Sequence, residues 1–392
     1  MGDALDAHYP CRVTPRKILL VTNDLGPRAG GIETFILGLL DQLDGTQIVI
    51  YTAAQRDSEV FDEQLSIRTG VEIIRDKNSI LIPSPWVNRR VCAVMSEYES
   101  EIIWFGAAMP LAWMSGLLKK RGAKRIIAIT HGHEVWWAKL PPFRYFFARS
   151  TRSIDVLTYL GEFTRQAMSK TVHFTCQMVQ IAPGISIDHF FPAEKSSSLQ
   201  DELQLQGKQV LLSVGRLIHR KGQDKLLQAL PKILLKHPNA VLVIVGVGPR
   251  QRRLDQLVKL YQLTDQVRFV GRVKYDKLPQ YFRLADLFVM PSRSRFFGLE
   301  VEGLGIVYLE ASASGIAVLA GASGGAPDAV INGETGIVID GSKVQEITSA
   351  VIELLDQPQR LAQLGVSGRA WTVEAWNWPI WGKRFKAVLL GD

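Results

Sequence analysis

Two carboxylates, Glu302 and Glu310, bracket the run Glu302-Gly303-Leu304-Gly305-Ile306-Val307-Tyr308-Leu309-Glu310. The apolar stretch Ala285-Asp286-Leu287-Phe288-Val289-Met290 before it is closed by Pro291 and reads as a buried parallel strand entering a loop. A helix is expected to begin near Gly305. Glu302 then lies in the loop beside the bare amides of Gly303, Leu304, Gly305 and Ile306, and Glu310 lies more than a turn into the helix beyond Val307. Orphan amides and the helix dipole favour anionic oxygen at such a terminus, and paired carboxylates can grip vicinal hydroxyls. Together they suit a sugar nucleotide; solvated surface glutamates are the plainer reading of the spacing alone.

Other stretches offer complementary chemistry. In Gly215-Arg216-Leu217-Ile218-His219-Arg220-Lys221-Gly222, a strand ends in glycine and cations follow, so Arg216 and Lys221 could converge on a diphosphate or form a solvated basic loop. Lys17–Thr22 reads as a strand running into Asn23-Asp24-Leu25-Gly26-Pro27-Arg28-Ala29-Gly30-Gly31, with a helical pattern after it. Gly30 and Gly31 permit close approach of a phosphate or sugar, or make a tight turn. Gly246 ends a further strand, and Arg272 with Val273 follows another. Thr130-His131-Gly132-His133-Glu134 has two imidazoles but no third ligand at a recognisable spacing, which argues against zinc.

Trp136, Trp137, Phe143 and Phe146 interleave with Arg144, Arg149 and Arg152, with no acid in between. Such alternation can seat on nucleic acid or on an anionic bilayer; a packed helix with solvated arginines is the alternative.

The elements that must position these residues alternate. Strand patterns at 47–52, 71–74, 102–105, 125–129 and 156–159 are separated by helical patterns at 87–98, 110–120 and 162–168, which argues for a doubly wound parallel sheet. After a polar interruption around Ser196-Ser197-Ser198, strands at 209–214, 240–245, 266–269, 287–290, 317–320 and 336–339 form a second set. A chain of 392 residues with 47% apolar content accommodates two cores. The three cysteines, Cys11, Cys92 and Cys176, share no redox or metal-ligand spacing and fit a reducing cytosol. No apolar run approaches the roughly 20 residues of a spanning helix, and the net charge of +8 points to an anionic partner.

The order of these motifs resembles the retaining GT-B glycosyltransferases of family four from Lys17 to about Lys386, most closely the PimB-type mannosyltransferases. The resemblance rests on Gly30-Gly31-Ile32, Trp104-Phe105-Gly106, Thr130-His131-Gly132-His133-Glu134, Arg220-Lys221-Gly222-Gln223, the Glu302 to Glu310 run and Gly324-Gly325-Ala326-Pro327. It implies an α/β fold of two Rossmann-like doubly wound parallel-sheet domains facing a cleft. The expected division is a tail over 1–16, an acceptor and membrane-side domain over 17–190, a nucleotide-sugar domain over 200–365, and a helix over 366–392 crossing back to the first domain.

It further implies transfer of mannose from GDP-mannose to the inositol 6-position of a phosphatidylinositol monomannoside lipid. Glu302 would hold the donor sugar, Glu310 the ribose, Arg216 and Lys221 the diphosphate, His131 the sugar and its phosphate, and Arg272 and Val273 the base. No metal, other cofactor or nucleic acid is implied, and the protein would sit on the inner, cytoplasmic face of an anionic membrane. One departure stands out: Ser294-Arg295-Phe296-Phe297 occupies a loop where small residues and glycine are expected. Two readings outside transfer are a sugar-nucleotide epimerase on the same fold and a non-catalytic membrane-binding module.

Overall fold

The computed structural model describes residues 16–27 and 30–392, so Cys11, nearly all of the expected tail, Arg28 and Ala29 lie outside the described residues. The first sheet comprises β1 (Ile18–Thr22), β2 (Ile48–Thr52), β3 (Glu72–Arg75), β4 (Ile102–Phe105), β5 (Arg125–Ala128), β6 (Val156–Tyr159) and β7 (Gln177–Gln180). Its order is β3-β2-β1-β4-β5-β6-β7. The second comprises β8 (Gln209–Val214), β9 (Ala240–Val245), β10 (Val267–Gly271), β11 (Leu287–Met290), β12 (Ala317–Gly321) and β13 (Gly336–Ile339), in the order β10-β9-β8-β11-β12-β13.

Every strand pair is parallel. Parallel strands need crossover helices on both faces, which is why strands such as β4 and β9 are apolar along their whole length and fully buried. Strand order reverses beside β1 and again beside β8, and open α/β sheets leave a crevice at the carboxyl ends of strands at such points. The loops after β1, β5, β8 and β11 carry the candidate residues and meet there.

Three local expectations need correction. The strand β7, Gln-Met-Val-Gln, gives no apolar signal because it is a sheet edge with an exposed or half-buried pattern. The expected helix over 110–120 divides into a 3-10 turn, Leu111–Met114, and a helix, Ser115–Lys120. The aromatic and basic stretch forms two helices, Glu134–Lys139 and Phe143–Thr151, because Pro141 and Pro142 remove amides and restrict the residue before them.

The final helix, Trp378–Leu390, returns to the first sheet. The Phe385 ring lies 4.8 Å from buried Trp104, and the Arg125 Nε donates to the Val388 carbonyl at 2.9 Å. Trp376 bridges Trp371 and Trp381 at ring separations of 5.5 and 5.6 Å. Trp378 covers Gly38 so closely that a Cβ there would overlap the indole. Gly38→Ala should therefore cost about 1–3 kcal/mol through overpacking, read as a lower midpoint in urea denaturation. A midpoint equal to the parent's would show that helix docking does not depend on this contact.

Candidate functional site

The carboxylate of Glu302 is buried and meets Lys221 Nζ at 2.9 Å and Arg220 Nε at 3.6 Å. Lys221 is itself buried, at the end of the 3-10 turn His219–Lys221 that follows β8. Gly222 turns the chain out of that position at φ 78°, and a Cβ there would collide with the Pro291 carbonyl, so glycine is required by conformation and by space. Glu302 is fixed from the backbone: its amide donates to Ser323 Oγ at 3.3 Å and its carbonyl accepts from the Gly325 amide at 2.9 Å. The turn Ser323-Gly324-Gly325 thus holds the loop that carries the acid.

The helix Ile306–Ala313 begins directly after Gly305, and no side chain caps its first turn. Tyr308 anchors the turn from behind, donating to the Met290 carbonyl at 2.8 Å with Ser292 Oγ at 2.9 Å. Glu310 is buried with Oε2 unpartnered, and burial pushes its carboxyl up to about 7 against the smaller opposing effect of Lys221. Tyr275, from the loop after β10, lies near enough to Glu310 for that carboxyl to add to the burial-driven rise of its phenol. Arg272 is exposed and Val273 half-buried in the same loop.

From the first domain, His131 donates from Nε2 to the Gly106 carbonyl at 2.6 Å, and its amide donates to Glu134 Oε2 at 2.8 Å. A carbonyl only accepts, so Nε2 carries the proton. Burial holds the ring's pKa below its ordinary value, which favours the neutral imidazole with Nδ1 as an acceptor. Nδ1 can take a hydrogen bond from a sugar hydroxyl; it cannot donate to a phosphate.

Gly132, at φ 92°, faces Gly303 across the cleft: a Cβ on Gly132 would lie 2.9 Å from Gly303 Cα, and one on Gly303 would lie 3.0 Å from the His131 carbonyl. A second cross-domain contact runs from the Phe163 amide to Asp328 Oδ2 at 3.2 Å, placing a carboxylate of one domain at the start of the helix Glu162–Ser169 of the other.

Beside this seam a cleft of about 830 Å³ is lined by Asp24, Gly30, Gly31, Glu33 and Arg56, with Arg216 reaching in from the second domain. Arg216 is exposed and stands apart from the buried Lys221 and Glu302 pair, so the two expected diphosphate cations occupy different environments. Gly30 is extended at φ −163°, and a Cβ on Gly30 or Gly31 would meet nothing within 4 Å. Neither backbone conformation nor packing among the described residues demands glycine there; close approach by a ligand is a function left to it. Gly246, by contrast, is packed against the Gly215 carbonyl, so its first duty is to let two loops touch.

Glu33, Arg220, Ser323 and Asp328 are site residues that sequence reasoning did not assign. Glu33 had a local signal, an acid on the first turn after Gly30-Gly31; burial pushes it up to about 7 and Oε2 has no partner. Asp328 had none, since its partner Phe163 is 165 residues away. Among the described residues, no group of three or more His, Cys, Asp or Glu side chains is placed to hold a metal.

Residues 195–371 match the family described as glycosyl transferases group 1. Over 376 residues, 95% of this chain and 98% of the relative, the sequence is 39% identical to the GDP-mannose-dependent alpha-(1-6)-phosphatidylinositol monomannoside mannosyltransferase of Mycolicibacterium smegmatis. The chain belongs to the group 1 glycosyl transferases. A Corynebacterium glutamicum relative, described as acting on the monoacylated form of that lipid, is 38% identical over 96% of this chain and 98% of its own. Anabaena HepE in complex with UDP superposes with a TM-score of 0.81 at 19% identity, covering 96% of this chain and all of that one. Sucrose-phosphate synthase from Thermosynechococcus elongatus gives 0.78 at 21% identity, over 95% and 98%. The shared fold is GT-B, two parallel-sheet Rossmann-like domains.

The two raised carboxyls give this glycosyltransferase a pH signature. Glu33 and Glu310 titrate near 7 in the folded chain and near an ordinary 4.5 when unfolded. Their contribution to stability is intact below about 4.5 and is lost as pH rises to 7. The Tm of the ligand-free protein should fall between about pH 5 and pH 7.5. Glu310→Gln should remove roughly 2–3 kcal/mol of that pH-dependent loss, and an unaltered pH dependence would show that Glu310 titrates normally.

Proposed function

We propose that this enzyme is a retaining transferase that moves mannose from GDP-mannose to the inositol 6-position of a phosphatidylinositol monomannoside-type lipid. The observation that carries the reading is the 39% identity running through 95% of the chain and 98% of the relative. The geometry supports it. In this reading Glu302 and the amides at Gly303, Leu304 and Gly305 serve the sugar, Glu310 accepts from the ribose hydroxyls, and Lys221 and Arg216 serve the diphosphate.

In this mechanism the bond from the mannose anomeric carbon to the diphosphate oxygen breaks as the acceptor oxygen attacks the same face. The acceptor's proton passes to the departing phosphate oxygen, and GDP leaves. Lys221 and the helix amides stabilise the growing negative charge, a contribution of about 2–4 kcal/mol for a well-placed donor. Lys221 is held by Glu302. A diphosphate would share that ammonium, leaving Glu302 free to accept from sugar hydroxyls. Neutral His131 offers a further acceptor to the sugar.

The acceptor is a lipid and the donor is soluble, so the protein works as a peripheral enzyme at the inner, cytoplasmic face of an anionic membrane. Among the described residues no helix is long and apolar enough to cross one. Trp136, Trp137 and Phe143 stack on one another at ring separations of 4.9 to 5.0 Å, and Phe146 packs on Trp113 at 4.5 Å. Much of the ring surface in this stretch is thus used internally, while Arg144, Arg149 and Arg152 are exposed and available to lipid phosphates.

Radiolabelled GDP-mannose with defined lipid acceptors tests the reaction. Mannolipid should form at the same rate in EDTA as with magnesium. Replacing both Arg216 and Lys221 with alanine should lower kcat by at least about a hundredfold with little change in acceptor KM. Release of an epimer or free sugar without lipid product would favour the epimerase reading, and a strict metal requirement would overturn the role given to the two cations.

Reversing Arg144, Arg149 and Arg152 to glutamate should release the protein from anionic vesicles, because each cation near such a surface contributes on the order of 1 kcal/mol. The parent should detach at high salt in the same way. Equal cosedimentation of parent and variant would show that another surface meets the lipid.

A further inference from the structure

The loop between β11 and Glu302 contains the segment that departs from the family's expected small residues, Ser294-Arg295-Phe296-Phe297. Phe296 and Phe297 both adopt left-handed backbone, at φ 50° and 55°. Bulky residues pay for that conformation, on the order of 1 kcal/mol each, and keep it only where the surroundings impose it. Here the surroundings do. Arg295 and Glu300 pair through both backbone amides, at 2.9 and 3.2 Å, and through an ion pair at 3.0 Å, so the four residues between them are pinched into a tip.

The strain earns nothing inside the chain. Phe296 is 61% exposed, with the Arg295 guanidinium over its ring at 4.6 Å, and Phe297 is fully exposed. Two adjacent aromatics displayed to water at a cost in backbone energy need an apolar medium outside the protein.

Charge and position indicate which medium. Lys139 of the first domain donates to the Gly298 carbonyl at 3.3 Å, so the tip touches the start of the exposed segment Lys139-Leu140 across the cleft mouth. Exposed Arg144 and Tyr145 follow in that segment. The root of the loop is tied to the donor side, where Ser294 Oγ lies 3.3 Å from Ser323 Oγ, the same hydroxyl that receives the Glu302 amide. Apolar tips flanked by cations fit the boundary between headgroups and acyl chains of an anionic bilayer, where rings are buried and cations meet phosphate.

We propose that Phe296 and Phe297 form a wedge that inserts into the anionic membrane surface carrying the lipid acceptor, so that the second domain, as well as the first, contacts the bilayer. This rests on the lipid-directed transfer proposed above. The wedge places the membrane boundary a few residues from Glu302, and the acceptor headgroup enters the cleft between the two lipid-touching edges.

The test separates the wedge from the reaction. Phe297→Trp, mixed with anionic vesicles whose acyl chains are brominated close to the headgroup, should show tryptophan quenching beyond that of the parent. Quenching equal to the parent's would overturn the proposal, whatever the enzyme's substrate proves to be. The double variant Phe296→Ser, Phe297→Ser should lose at least about tenfold in transfer to a vesicle-borne acceptor, while transfer to the deacylated, water-soluble form of that acceptor stays at the parental rate. Equal losses on both acceptors would make the loop part of the cleft framework and overturn the wedge. A concentration-dependent dimer in sedimentation velocity that the double variant abolishes, with vesicle quenching absent, would assign the aromatics to a second copy of the chain instead. If the parent transfers mannose to neither acceptor but the added tryptophan is still quenched, the reading of the reaction fails and the wedge stands.

Discussion

A buried ion pair is costly before it is useful, and the site depends on one. Removing Glu302 and Lys221 from water carries a desolvation penalty that mutual attraction offsets only when geometry is fixed. The chain fixes it with backbone: Gly222 folds Lys221 inward beneath Pro291, and the Ser323-Gly324-Gly325 turn holds Glu302 by its amide and carbonyl. The carboxylate and the ammonium are thereby presented to the same volume from different loops of one sheet. That arrangement suits a ligand with hydroxyls on one side and phosphate on the other.

How much of this was legible in the sequence follows from how local each signal is. Strands buried on both faces, such as β8, β9 and β11, are continuous apolar runs, and their limits match the pattern closely. The polar edge strand β7 lacks such a pattern because one-sided exposure leaves little to read. Glu302, Glu310 and Lys221 were legible as motif residues, and the fold brings Glu302 and Lys221 into contact. Arg220 sat beside a named cation, yet only the fold reveals that its Nε also faces Glu302.

Other features were beyond any local rule. The tautomer of His131 follows from the Gly106 carbonyl, contributed by the loop after β4, and its lowered pKa from burial. Asp328 at the start of the helix Glu162–Ser169 joins residues whose proximity depends on how the two domains face each other. The aromatic and basic stretch was read correctly in composition, but its rings turn largely toward one another once the two prolines break it. The strain at Phe296 and Phe297 has no signature in residue type at all, since left-handed backbone is avoided by both.

The seam at Gly132 and Gly303 has a bearing on turnover. Main chain lies against main chain there, so the contact sets how closely the two loops approach. A donor enclosed by the two domains would leave as a bulky nucleotide, and its exit requires the walls to separate. A contact of this kind behaves like a machined stop: it defines how far the two loops can come together. Enlarging either glycine would hold the halves too far apart for the His131 loop to reach the sugar, whereas a sticky apolar pair in their place would trade release for grip.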